Sequence, residues 1–166
     1  MLTLKSSKTL ITRSSGRAII DPNRRARRSP RVRAPAYTVR RVNDDDLYAA
    51  IGEEGFHRLI AAFYRQVPGD EVLSPMYPPH DLAGAEARLK DFLVGRFGGP
   101  PRYIEQRGHP RLRMRHVPFA ITAAARDRWM VLMDRALQEA ALPREAEEHL
   151  RAFLDGVATM LINRRD

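Results

Sequence analysis

The nine residues Arg111 to Phe119, RLRMRHVPF, carry the side chain with the widest chemical scope in this sequence, the imidazole of His116. A neutral imidazole ligates metals and moves protons near neutral pH. Leu112 stands one helical turn before His116 and Phe119 about one turn after it, so a helical segment puts all three on one face. Pro118 has no N–H and clashes with a preceding turn, which ends the helix close to the histidine. A histidine on an apolar face at the end of a short helix suits ligation of a buried, flat cofactor. On its own, a single histidine reads more readily as a core or surface residue. The decision therefore rests on what the other elements bring beside it.

Those elements read as helices. Asp44-Asp45-Asp46 opens one, since carboxylates there meet free N–H groups and oppose the dipole, and Gly52 stops it. From Glu53 to Val67 the residues Phe56, Leu59, Ile60, Phe63 and Val67 form a helical stripe, with Tyr64 beside it. Pro68-Gly69-Asp70 ends that helix, and a connection carrying Tyr77 runs to Pro79. Asp81 is placed to cap a helix to about Phe97, with Leu82, Ala85, Leu89, Phe92 and Leu93 on one side and a Glu86–Lys90 pair outside. Gly98-Gly99-Pro100-Pro101 stops it, and Arg102 to Pro110 reads as irregular. Thr122 caps a helix from about Ala123 to Ala141, with Arg126, Trp129, Met130, Met133, Ala136 and Leu137 inward. Pro143 fits the first turn of the last helix, which shows Leu150, Phe153, Leu154, Val157 and Leu161 at helical spacing. No stretch alternates with period two. The body, residues 44–166, is predicted to be all-α.

Composition narrows the chemistry. The 166 residues are 43% hydrophobic and 30% charged, which describes a globular chain, and no run of about 18 apolar residues is present to span a bilayer. The absence of cysteine excludes disulfides, thiolate zinc sites, iron–sulfur clusters, a cysteine nucleophile and covalent C-x-x-C-H haem attachment. The net charge of +9 is uneven: residues 1–43 hold 12 Lys/Arg against one acid, Asp21, and the rest hold 17 Lys/Arg against 19 Asp/Glu. A nearly neutral body follows a basic tail that is expected to be disordered. Three readings of the tail compete. It is a solvated arm or an over-long start, an electrostatic contact for nucleic acid or anionic lipid, or an organelle transit peptide.

An all-α body with one helix-end histidine among apolar residues invites a haem reading, which needs an axial nitrogen, an apolar slot and partners for propionates. Zinc competes poorly. His109 and His116 are separated by the helix-breaking Pro110, and no H-E-x-x-H occurs. Phosphate-loop and dinucleotide fingerprints are absent, as is the G-x-S-x-G of serine hydrolases.

The strings AAFYRQV, EVLSPMYPPHDLAGAEARL, GGPPRYIEQRGHPRLRMRHVPF and RDRWMVLM together resemble truncated haemoglobins of group II, over roughly three quarters of the chain. The resemblance implies a two-over-two helical sandwich holding haem b. It implies His116 as the proximal iron ligand, with Tyr64, Tyr77 and Trp129 as hydrogen-bond donors around a bound O2. Such donors hold the negative charge that develops on the ligand oxygen and slow its release. Ala85 stands where many globins carry a distal histidine, and Leu89, one turn on, is expected to face the haem. Phe63, Phe92, Phe119 and Met133, with Leu93, are expected as apolar walls, and Arg88 and Tyr103 as propionate partners. Phe97 departs from the family pattern, standing where an indole often occurs.

The function so implied is reversible binding of O2, NO and CO by a cytoplasmic haem protein. The alternative is a redox enzyme, a nitric oxide dioxygenase or peroxidase, supplied with electrons by a separate reductase. A third reading is a globin-fold module tethered to nucleic acid by its tail.

Overall fold

Gly52 bends the first helix, and that bend starts the architecture. In the computed structural model, which describes residues 44–165, helix α1 spans Asp44–Gln66 and is kinked at Gly52, where φ is 65° and ψ is 176°. A side chain is strained in that region, so only glycine takes it readily. The helix stop expected at Gly52 is thus a bend between two helical pieces. Beyond it Phe56, Leu59, Ile60, Phe63 and Val67 are all buried, as their spacing predicts.

Three short 3-10 turns, Val67–Gly69, Ser74–Met76 and Pro79–Asp81, lead to α2, Leu82–Arg96. The remaining helices are α3 (Arg102–Arg107), α4 (Leu112–His116), α5 (Ala123–Ala140) and α6 (Arg144–Met160). Among the described residues there is no strand. Helix α1 packs on α2 and α5, and α5 on α6, so one helical pair lies over the other in a two-over-two sandwich.

Several local readings need correction. Arg102 to Pro110 is not irregular, because α3 forms there between Pro101 and Gly108. Six residues are too few to show an apolar stripe; α3 is anchored instead by one buried ring, Tyr103, edge-on to Phe92 at 5.7 Å. Asp81 makes no capping bond; its carboxylate forks onto Arg88, at 3.0 and 2.5 Å. Lys90 turns to Glu53 on α1, 3.9 Å away, instead of pairing with Glu86. Pro143 stands just ahead of α6 at the cap position. Thr122 does cap α5, accepting the Ala125 N–H at 3.2 Å.

The core is aromatic and aliphatic. Phe97 is fully buried, 6.1 Å from the Phe56 ring and 5.0 Å from Phe153. Each such ring contributes about 1.5–3 kcal/mol by leaving water. That burial belongs to α1, α2, α5 and α6, whereas no residue of α4 is buried. The helix carrying His116 is therefore positioned by hydrogen bonds more than by packing. Met1 to Asn43 lie outside the described residues, and with them the disorder, nucleic-acid, lipid and transit-peptide readings of the tail.

Candidate functional site

Helix α4 is delivered to its place by the chain on either side. Gly108, at φ 68°, turns the chain out of α3, and Arg111 enters α4 in the left-handed region at φ 42°. Arg115 then staples the turn, its guanidinium donating to the carbonyls of Pro110 at 2.8 Å and Arg107 at 2.9 Å. After His116 the chain is held by Asn163, whose amide donates to the carbonyls of His116 (3.1 Å) and Phe119 (3.0 Å). The same side chain accepts the Ile121 N–H at 3.1 Å. Nothing in the sequence marked Asn163, because its three partners lie more than forty residues away.

The imidazole itself is oriented by its own helix. His116 Nδ1 lies 2.7 Å from the carbonyl oxygen of Leu112. A carbonyl only accepts, so Nδ1 carries the proton and Nε2 keeps its lone pair. Fixing the tautomer in this way is how proteins prepare an imidazole to ligate a metal through the other nitrogen. His116 lines a cavity of about 640 Å³, inside the range of ligand pockets, roughly 300–1,000 Å³.

The walls come from every helix of the body except the early part of α1. Tyr64, Tyr77, Ala85, Leu89, Phe92, Tyr103, Leu112, Phe119 and Trp129 line the cavity, with Phe153, Val157 and Leu161 from α6 and the segment after it. Phe119 is the most open of these, and its ring sits 6.3 Å from the His116 imidazole. Leu93 of α2 does not line the cavity, contrary to expectation, and is fully buried in the helical core; the same holds for Phe63 and Met133. Spacing put them on inward faces, and inward here means toward the α1–α5 interface. Phe63 serves the site indirectly, its ring 5.2 Å from Tyr64 and 5.1 Å from Trp129.

Tyr64, Tyr77 and Trp129 bring polar hydrogens into this apolar space. Tyr64 is only 5% exposed, and its hydroxyl makes no hydrogen bond among the described residues. Burial first, and then the neighbouring Tyr77, push the Tyr64 hydroxyl far above the usual phenol range, so it stays a donor. Burial likewise raises Tyr77, whose ring lies edge-on to Tyr64 at 5.7 Å. Trp129 donates its indole N–H to the Tyr77 oxygen at 3.3 Å. The indole's one proton is thus committed to Tyr77, and the Tyr77 hydroxyl hydrogen is left to turn into the cavity.

The connection that carries Tyr77 is organised by Asp70, which the sequence marked only as part of a helix stop. Asp70 is 4% exposed, and its carboxylate accepts the N–H groups of Leu73 (2.9 Å) and Val72 (3.1 Å) and the guanidinium of Arg128 (2.5 Å). Burial works to raise this carboxyl, but the Leu73 N–H, Arg128 and the Val72 N–H outweigh it and hold it below the usual carboxylate range. An Asp-x-x-Leu start to a turn was the available signal.

At the solvent edge of the cavity stand Arg88, Arg107 and Arg115. Arg88 is engaged by Asp81, which raises its pKa further. Arg107 and Arg115 were not anticipated. Both follow from helical spacing, since Arg107 lies one turn after Tyr103, and Arg115 crosses the Tyr103 ring at 5.9 Å. The residues present fit a haem: one free imidazole nitrogen, apolar walls of the right extent, and cations at the mouth for carboxylates.

A helical sandwich folded around one such imidazole is the globin arrangement, and the profile of the bacterial-like globins matches residues 46–163. The chain belongs to that family of haem-binding proteins. Within it the chain is a truncated haemoglobin of group II. It is 39% identical over 119 residues to group 2 truncated hemoglobin YjbI of Bacillus subtilis, covering 72% of this chain and 89% of that one. Among solved structures it resembles a thermostable hemoglobin from the actinobacterium Thermobifida fusca, with 49% identity and a TM-score of 0.68. That match covers 70% of this chain and 96% of the other. It also resembles a truncated oxygen-avid haemoglobin from Bacillus subtilis, at 39% identity, TM-score 0.67, and 70% and 98% coverage. No helix among the described residues is long and apolar enough to cross a membrane.

Proposed function

We propose that this protein holds haem b non-covalently through His116 Nε2 and binds O2 and other diatomic gases, with Tyr64 and Tyr77 as the donors to the bound ligand. The observation that carries the reading is the His116 Nδ1 to Leu112 carbonyl bond, which leaves one unprotonated imidazole nitrogen in an apolar cavity. When bound, the haem supplies an iron that takes a gas molecule in a site with little water. The chain's own residues do the rest. Arg107 and Arg115 meet the propionates at the mouth, with Arg88 and Tyr103 beside them. Tyr64 presents an uncommitted hydroxyl, and Trp129 aims the Tyr77 hydroxyl by occupying its oxygen. Ala85 leaves space above Leu89 for ligand entry. The Bacillus subtilis relative is described as oxygen-avid, and one buried and one half-buried phenolic donor support the same behaviour here.

Slow release favours a second reading, in which bound O2 oxidises nitric oxide and a separate reductase restores the iron. Nitric oxide consumption by the oxygenated protein, repeated with a reductase, separates the two readings; absence of turnover removes the second. The first is tested by a visible spectrum of the reduced protein with and without carbon monoxide. A Soret band that shifts with the gas, disappears in His116→Ala and returns with added imidazole is expected. A protein that takes up no haem, or a His116→Ala variant with an unchanged band, refutes it.

A further inference from the structure

Beside α4, next to the first cavity, lies an open surface groove of about 480 Å³. Its floor is apolar: Phe92, Leu112, Phe153, Val157 and Met160 contribute to it. Phe92, Leu112, Phe153 and Val157 also line the first cavity, so these side chains form the partition between the two. The rim carries the cations Arg96, Arg111 and Arg113 with the imidazole of His109 beside them, and no Asp or Glu lines this space.

The cations differ in how far they are committed. Arg96 is paired with Asp44. Arg113 donates through Nε to the Met160 carbonyl at 3.3 Å, which pins its guanidinium across the groove while its Nη groups stay unpaired among the described residues. Arg111 makes no ion pair among the described residues, and its backbone N–H is taken by His109 Nδ1 at 3.2 Å. That bond leaves Nε2 of His109 as the protonated, donating nitrogen. Three donors, two of them permanently charged, therefore frame an apolar trough.

From this arrangement we infer a binding site for a single-chain organic acid of medium length, its carboxylate on Arg111 and Arg113 and its alkyl chain against Leu112, Phe153 and Met160. Guanidinium forks match carboxylates in geometry as well as charge. The apolar floor selects against inorganic phosphate and nucleic acid, which offer it nothing. Occupancy acts on the proposed haem site through the partition: Leu112, which the chain would touch, supplies the carbonyl that fixes His116.

The test is a calorimetric titration of the haem-loaded full-length protein with sodium decanoate at monomeric concentrations. One site per chain is expected. Octanoate should bind roughly tenfold more weakly, as two buried methylenes are lost. Decyltrimethylammonium should give no binding, and Arg111→Gln, an exposed change that leaves the fold alone, should weaken decanoate several-fold. Met160→Trp, which fills the trough and keeps both arginines, should abolish binding with the Soret band retained. The inference is overturned by absence of a single-site isotherm, by equal binding of the cationic analogue, or by an unchanged isotherm in Arg111→Gln. It is also overturned by loss of haem on adding decanoate, which would place the acid in the first cavity. Association with phosphatidylglycerol vesicles in the absence of decanoate binding would make the site a membrane contact and overturn it as well.

Discussion

Trp129 and Tyr77 should behave as one device, not two. The indole has a single N–H, and it lies 3.3 Å from the Tyr77 oxygen. If that proton is committed there, Trp129 influences a bound ligand only by aiming the Tyr77 hydroxyl. A neutral hydrogen bond of this kind contributes about 0.5–1.5 kcal/mol, and its length places it toward the lower end. Tyr77→Phe removes the donor proposed for the ligand and should speed O2 release roughly 5-fold, for about 1 kcal/mol lost. Trp129→Phe keeps an aromatic against Phe63, whose ring is 5.1 Å away, and should speed release by a smaller factor. The double variant should be no faster than Tyr77→Phe alone, because the indole has nothing left to orient. The assay is stopped-flow O2 dissociation from the reduced, haem-loaded protein across the full cycle, with stability measured on each variant. Multiplicative effects, with the double variant faster than Tyr77→Phe by the Trp129→Phe factor, would refute the reasoning and mean that the indole donates to the ligand directly.

Other consequences follow from the same geometry. Asp70→Asn removes the charge-assisted bond to Arg128 and should cost about 2 kcal/mol at pH 7, short of the range for a fully buried pair because Arg128 is half-exposed. Its carboxyl is held below 3.8 in the folded protein, so its contribution is present above that pH and fades as pH falls through the lower, folded value. Urea unfolding of both proteins at pH 7 and below pH 3.8 should show the gap narrowing in acid; a constant gap would remove the ion pair from the explanation. Gly108→Ala meets no atom within 4 Å, so any loss is backbone strain at φ 68°. A loss of about 1–3 kcal/mol is expected in the unfolding midpoint, and an unchanged midpoint would show that α4 is not positioned by this turn. Tyr64→Phe removes a buried phenol with no hydrogen-bond partner among the described residues and should speed O2 release more than Trp129→Phe does, in the same stopped-flow assay.

Much of this protein is written in local sequence. The stripe from Phe56 to Val67, the break at Gly52, the stop at Gly98–Pro101 and the cap at Thr122 are short-range steric and hydrogen-bond facts, and the helices form where they predict. His116 ends its helix because Pro118 follows, and Leu112, four residues earlier, is automatically placed to hold its Nδ1. These relations act within one or two turns, so a linear reading captures them.

What the sequence alone did not determine are the relations across the fold. Spacing shows that Phe63 and Met133 point inward, but only the packing of α1 on α5 decides that inward means core, away from the cavity. Asp81 is a plausible cap until Arg88, one helix turn and more away, offers a two-bond fork that competes better for its carboxylate. The partner of the Trp129 indole is fixed by where the Asp70-centred turn sets Tyr77, 52 residues earlier in the chain. Asn163 finds its three partners only once α6 has docked and brought the chain's end beside α4. Helix identity is set by neighbours within a few residues, whereas the destination of each polar hydrogen depends on which helices share an interface, and that is settled only when the sandwich closes.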